Sequence, residues 1–101
     1  MSFERDVWLE AETDITDAAV WYEQRSPGLG FQFLDAVDKA FGALFDAPRR
    51  FPEVHLDNRR ALLNRFPYAV FFFIDEPFVR VVACSHVRQD PAAWQARRAD
   101  R

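Results

Sequence analysis

Two histidines, one cysteine and ten arginines fall between residue 49 and the last position, 101, and they define the chemistry this chain could do. Cys84 and His86 stand two apart, both on one face of a strand, which is a poor arrangement for a thiol and its activating base. Cys84 reads more simply as a small core residue. No serine sits in a nucleophile-elbow context, so a Ser-His-Asp site is excluded. A single cysteine can form neither an intrachain disulfide nor a cysteine-based zinc site. Two histidines without carboxylates at ligand spacing make no other metal site, so neither metal nor cofactor is expected. Metal-free cleavage of RNA asks for less. It needs a base for the ribose 2′-hydroxyl, a cation for the crowded phosphorus and an acid for the leaving 5′-oxygen. Glu53 or His55, Arg60 or Arg65, and His86 have the side chains for those three roles. The plainer account of His86 is a strand end that satisfies a loop carbonyl.

The net charge of −3 hides a division along the chain. Residues 1–48 carry ten acids against Arg5, Arg25 and Lys39, whereas residues 49–101 carry ten arginines against six acids. Arginine suits bidentate contact with phosphate or carboxylate. The acidic total opposes a general affinity for nucleic acid. Aromatics make up 16% of the residues. Rings that bury roughly 150–250 Å² each are a heavy load for one small core, so either the core is aromatic-rich or some rings lie at a partner surface.

These residues must be positioned by one domain over 1–101, of α+β class, with the order β-α-α-β-β-β-α. The longest apolar run, Tyr68 to Ile74, is far short of the ~20 residues of a membrane span. Charges in Met1-Ser2-Phe3-Glu4-Arg5-Asp6 argue against a signal peptide, and the expected location is cytoplasmic. Residues 2–9 read as a strand with Phe3, Val7 and Leu9 on one face. A helix is predicted over about 11–25, with Ala11, Ile15, Ala18 and Tyr22 on its buried stripe. Its early acids fit the positive end of the helix dipole. Ser26 reads as the N-cap of a second helix and Pro27 as its first residue. Leu34, Val37, Phe41 and Leu44 form that helix's buried stripe, and Ala47-Pro48 ends it.

After an irregular stretch over 49–58, strands are predicted at about 59–65, 68–74 and 79–86. Tyr68–Ile74 is apolar throughout and should be central, covered on both faces. Asp90-Pro91 opens a short last helix with Trp94, Arg97 and Arg98. Pairing Arg65 with Tyr68, and Ile74 with Val79, sorts the sheet faces. Val70, Phe72, Val81 and Ala83 then face the helix hairpin. Arg60, Phe71, Phe73, Arg80, Val82, Cys84 and His86 share the other face, which resembles a binding groove more than a plain solvent surface.

Ala18-Ala19-Val20-Trp21-Tyr22-Glu23, then Pro27-Gly28-Leu29-Gly30 and Phe33, resembles the helix hairpin of RelE/ParE-type toxins. Pro48, Phe51-Pro52, Arg59-Arg60 and Arg65-Phe66-Pro67-Tyr68-Ala69-Val70 continue the pattern. So do Val81-Val82-Ala83-Cys84-Ser85-His86, Arg88, Asp90-Pro91 and Trp94. The resemblance spans about residues 3–98 and implies a helix hairpin packed on a predominantly antiparallel sheet. It also implies the toxin of a type II toxin–antitoxin module, neutralised by a cognate antitoxin protein. ParE-like members inhibit DNA gyrase, whereas RelE-like members cleave mRNA on the ribosome. The Trp21-Tyr22 pair and Pro27-Gly28-Leu29-Gly30 are closer to the ParE-like branch. The acidic charge, a single lysine and Val87 where some nucleases carry tyrosine also depart from the RNase branch. Glu53, Arg60 and His86 nevertheless resemble the carboxylate, arginine and histidine of one group of those nucleases. A relative that only binds antitoxin is the third possibility. Arg59, Arg65, Arg80, Arg88 and Trp94 are the candidates for target or antitoxin contact. The expected antitoxin segment is amphipathic and acidic, seated on apolar anchors rimmed by arginine.

Overall fold

The computed structural model describes residues 3–99. Strand β1 (Glu4–Val7) leads into helices α1 (Leu9–Arg25) and α2 (Leu29–Asp46) and a short 3-10 turn at Pro48–Arg50. Strands β2 (Glu53–His55), β3 (Asn58–Leu62), β4 (Tyr68–Asp75) and β5 (Phe78–His86) follow, and α3 (Ala92–Ala99) closes the series. The sheet order is β1-β5-β4-β3-β2, parallel between β1 and β5 and antiparallel elsewhere. The apolar β4 is therefore the middle strand, as its composition requires. The hairpin buries Ala11, Ile15, Ala18, Phe33, Val37 and Leu44 against Val70, Phe72, Val79 and Val81. A smaller core of Trp8, Phe73, Val82, Ala83 and Trp94 lies on the opposite face, under α3.

The start of the second helix differs from the sequence expectation. The Ser26 N–H donates to the Tyr22 carbonyl and so finishes α1, and Gly28, at φ 89°, precedes α2. The cap comes from the previous helix. Both Glu23 carboxylate oxygens accept from the Gly28 N–H (3.0 and 3.1 Å), and one accepts from the Gly30 N–H at 3.0 Å. A carboxylate there meets the otherwise orphaned N–H groups and the positive end of the helix. The face of α2 is also wider than expected. Phe33 and Phe45 are buried, whereas Leu34 is 41% exposed. Phe33 is held in an aromatic cluster, its ring 5.4 Å from Tyr22, 5.3 Å from Phe66 and 5.1 Å from Tyr68. At the N-terminus the strand stops at Val7. Trp8 turns into the smaller core and its carbonyl starts α1, leaving Leu9 exposed instead of facing the core with Phe3 and Val7.

Strand register departs in two places. Ile74 pairs with Val79 as expected, but Arg65 lies outside β3 at φ 73° and Leu62 pairs with Ala69. That slip is two residues, so the faces of β3 are preserved. A bulge between Phe71 and Phe72 has the larger effect. Phe72 pairs with Val81 and Phe71 with Ala83, so Val82 is the extra residue. Past it, alternation in β5 inverts. Cys84 now stands opposite Val70 and His86 opposite Tyr68, on the hairpin side, while Ala83 moves to the smaller core.

Two glycines of α2 should respond oppositely to alanine. A Cβ at Gly30 would lie 2.7 Å from the Ala19 carbonyl oxygen, a backbone atom of α1, whereas one at Gly42 meets nothing. Gly30→Ala is expected to cost on the order of 1–3 kcal/mol through overpacking. Gly42→Ala is expected to stabilise by about 0.5–1 kcal/mol through reduced backbone entropy. Urea unfolding of both variants checks the pair.

Candidate functional site

The arginines divide into those that build the fold and those that face outward. Arg80 donates to Asp6 at 2.6 Å and Asp75 at 3.1 Å, fastening β5 to β1, and its guanidinium lies over the Phe78 ring. Arg59 donates to the Phe51 carbonyl at 2.6 Å and the Arg49 carbonyl at 3.3 Å. Arg98 pairs with Asp57 and Asn58 and covers the Phe73 ring. Arg49 pairs with Glu76. Arg97 forks onto Asp14 at 2.7 and 3.0 Å and also donates to the Val82 carbonyl. Among the described residues, Arg5, Arg50, Arg60, Arg65 and Arg88 are exposed and make no side-chain hydrogen bond or ion pair, Arg5 lying over the Phe45 ring. Arg65 and Arg88 lie on the β3–β4 and β5–α3 loops, which are joined by a Val87 N–H to Pro67 carbonyl bond of 2.9 Å. Of the predicted contact arginines, Arg59 and Arg80 are thus engaged internally, whereas Arg60, Arg65 and Arg88 are available.

A cavity of about 240 Å³ lies between the sheet and α3, bordered by His55, Arg60, Ser85, His86, Gln89 and Trp94 among others. Trp94 is its buried floor, stacked on Phe71 with centroids 4.1 Å apart and met edge-on by His55. Ser85 donates to Gln89 at 2.9 Å. His86 borders the cavity from the hairpin side, its ring 5.2 Å from Tyr68 and its Nδ1 accepting from the Arg88 N–H at 3.1 Å. Arg60 and His86 thus reach one cavity from different faces. Glu53 pairs with Arg59 at the sheet edge and does not line it, whereas His55 does. Cys84 is buried, and desolvation, with help from Asp14, pushes its thiol up to about 12. A thiol held that high is not a nucleophile at neutral pH.

A second surface went unrecognised in the sequence. Phe31 is 77% exposed and, with Val20 and Leu34, forms an apolar patch on the outer side of the hairpin. The available signal is that α2 carries apolar residues on more than one stripe, with Phe31 and Leu34 beside Phe33 and Val37.

A family model described as the ParE toxin of a type II toxin–antitoxin system, parDE, matches residues 9–91. The chain belongs to the ParE toxin family. The match runs from the first residue of α1 through β5 to Pro91. A solved structure of the chromosomal ParDE toxin–antitoxin system from P. aeruginosa has the same fold, with a TM-score of 0.76. It is 11% identical over 84% of this chain and 96% of that one. No curated protein sequence matches. This ParE-family fold accordingly has the α+β architecture that the resemblance implied.

Two ionisable features make predictions. Asp14 is about three-quarters buried with Arg97, and it also accepts the Cys84 N–H at 3.1 Å. Asp14→Ala strands a guanidinium and an N–H, so a loss of about 1–3 kcal/mol is expected in urea unfolding. Asp14→Ala with Arg97→Met should recover part of it. For Cys84, the unfolded thiol ionises near 9.0 and the folded one near 12. The folded state therefore holds a proton that the unfolded state has released. Stability should be full well below pH 9 and fall as pH rises above it, by on the order of 1 kcal/mol at pH 10. Cys84→Ala should remove this component and leave a later decline from Tyr22 and Tyr68, whose hydroxyls burial also raises.

Proposed function

We propose that this ParE-family chain acts in the cytoplasm as a non-enzymatic inhibitor of DNA gyrase, restrained by a cognate antitoxin. The observation that supports the inhibitor reading most directly is the bulge in β5. It sets His86 on the hairpin side, opposite Tyr68, with its Nδ1 already accepting from the Arg88 N–H. Arg60 is on the other side of the sheet and Glu53 is off the cavity. General acid–base work on a ribose needs proton carriers within hydrogen-bond reach of one reacting centre. The free arginines at Arg65 and Arg88 instead suit contact with a large acidic or phosphate-bearing surface. The gyrase assignment follows the ParE-like hairpin pattern, Trp21-Tyr22 and Pro27-Gly28-Leu29-Gly30. The second reading, ribosome-dependent mRNA cleavage, is favoured by Arg60, His55 and His86 bordering one cavity.

Controlled expression with simultaneous readout of plasmid supercoiling and mRNA integrity separates the two. Disturbed supercoiling with intact mRNA is expected, unchanged in kind by His86→Gln. Arg65→Gln with Arg88→Gln should weaken toxicity without unfolding the chain, because neither guanidinium is engaged internally. Ribosome-dependent cleavage that drops ~10²–10³-fold in His86→Gln or Arg60→Gln would establish the nuclease instead. The antitoxin complex should melt well above the lone chain, because a partner that binds only the folded state stabilises by mass action.

A further inference from the structure

We propose that the cavity between the sheet and α3 is a binding site for a small aromatic monocarboxylate. The stacked rings of Phe71 and Trp94, their centroids 4.1 Å apart, give it an apolar wall that Val54 and Val87 extend. A planar ring packs on such a wall by offset stacking or by its edge. At about 240 Å³ the cavity is smaller than the roughly 300–1,000 Å³ that takes a drug-sized ligand, so one ring or two fused rings fill it.

Charge selects the acid. Among the described residues no aspartate, glutamate or lysine lines the cavity, and Arg60 is its one permanently charged side chain. The Arg60 guanidinium is exposed and makes no hydrogen bond or ion pair. A guanidinium so placed takes a carboxylate through two parallel N–H bonds. His86 adds no charge to it. Its Nδ1 accepts from the Arg88 N–H, so the ring is neutral and carries its proton on Nε2. The Ser85 hydroxyl donates to the Gln89 Oε1 at 2.9 Å, which leaves the Gln89 NH₂ group to donate to a ligand. One positive charge among neutral donors balances a monoanion. A phosphate monoester brings about −1.5 to −2, and a nucleic acid strand brings one charge for every phosphate. This inference does not depend on the gyrase reading, and it gives the cavity an occupant that undergoes no reaction.

The test is titration of the isotope-labelled full chain at neutral pH, followed by NMR. The probes are indole-3-acetate, its uncharged analogue indole-3-acetamide, adenosine monophosphate and a short peptide ending in tryptophan. Indole-3-acetate is expected to bind saturably with Kd below about 1 mM, shifting the Trp94 indole N–H and the Gln89 amide. The acetamide should bind about tenfold more weakly or worse. In Arg60→Gln the acid and the amide should bind alike. That variant should melt with the parent chain, because the guanidinium is unengaged. Absence of a saturable shift at Trp94 would overturn the proposal, as would equal affinity of the parent chain for acid and amide. A preference for the acid that survives in Arg60→Gln would place the carboxylate elsewhere and refute the site. Tighter binding of adenosine monophosphate would make the occupant a phosphate ester, and tighter binding of the peptide would make it a protein C-terminus. Either result refutes the small carboxylate.

Discussion

One ion pair holds together the elements that make the cavity. Strand β1 stops pairing with β5 at Val81, at the same point where the ladder to β4 bulges. The Val82 carbonyl and the Cys84 N–H are taken by Arg97 and Asp14, and those two side chains are bonded to each other. Asp14 belongs to α1 and Arg97 to α3, so a break in the sheet becomes the junction of both helical layers. Buried backbone groups must be satisfied, and a bidentate arginine–carboxylate pair does so with fixed geometry. The wall of the cavity, from Ser85 to Trp94, is placed by that junction.

The same bulge explains why the site was less legible in the sequence than the fold. The central position of β4 follows from seven apolar residues in a row, and the helix hairpin from three- and four-residue spacing. Both signals concern burial, which composition reports. A bulge leaves no such mark. Val82 looks like any strand valine, yet its insertion turns Cys84 and His86 through the sheet. The start of α2 was obscured for a related reason. Ser26-Pro27 carries the local chemistry of a helix start, but Glu23, five and seven residues from its partners, supplies the cap from the preceding helix. Local rules describe neighbours, and here a residue one turn back prevails.

The arginines show a further limit of composition. Arg59, Arg60 and Arg65 are indistinguishable by type and near one another in sequence. Arg59 is spent on the carbonyls around Phe51, while Arg60 and Arg65 stay free. Strand alternation accounts for part of this, because Arg59 pairs with the buried Phe72 and Arg60 with the half-buried Phe71. Among the described residues, the apparent basicity of the second half therefore shrinks to a few free, exposed guanidinium groups at Arg50, Arg60, Arg65 and Arg88. The acidity of the hairpin shrinks less, since among its acids Glu12, Asp17, Asp38 and Asp46 remain exposed. The folded molecule is more acidic in character than its count of arginines suggests.

Separation of these surfaces sets a reach requirement on any partner that must cover both. The longest dimension of the molecule is 39 Å. An extended chain advances about 3.3 Å per residue, so roughly a dozen residues span that distance. A partner helix seated over Phe31 and Leu34 would leave Arg60, Arg65 and Arg88 uncovered by itself. Covering them as well takes the helix plus an extended arm of at most that length, acidic where it meets the arginines. Such an arm orders on binding, at a cost in conformational entropy that the apolar anchors must exceed. On the hairpin, Val20, Trp21, Phe31 and Leu34 are exposed and have apolar area left to give. The anchoring energy then resides on the hairpin, while the arginine contacts contribute orientation and salt sensitivity.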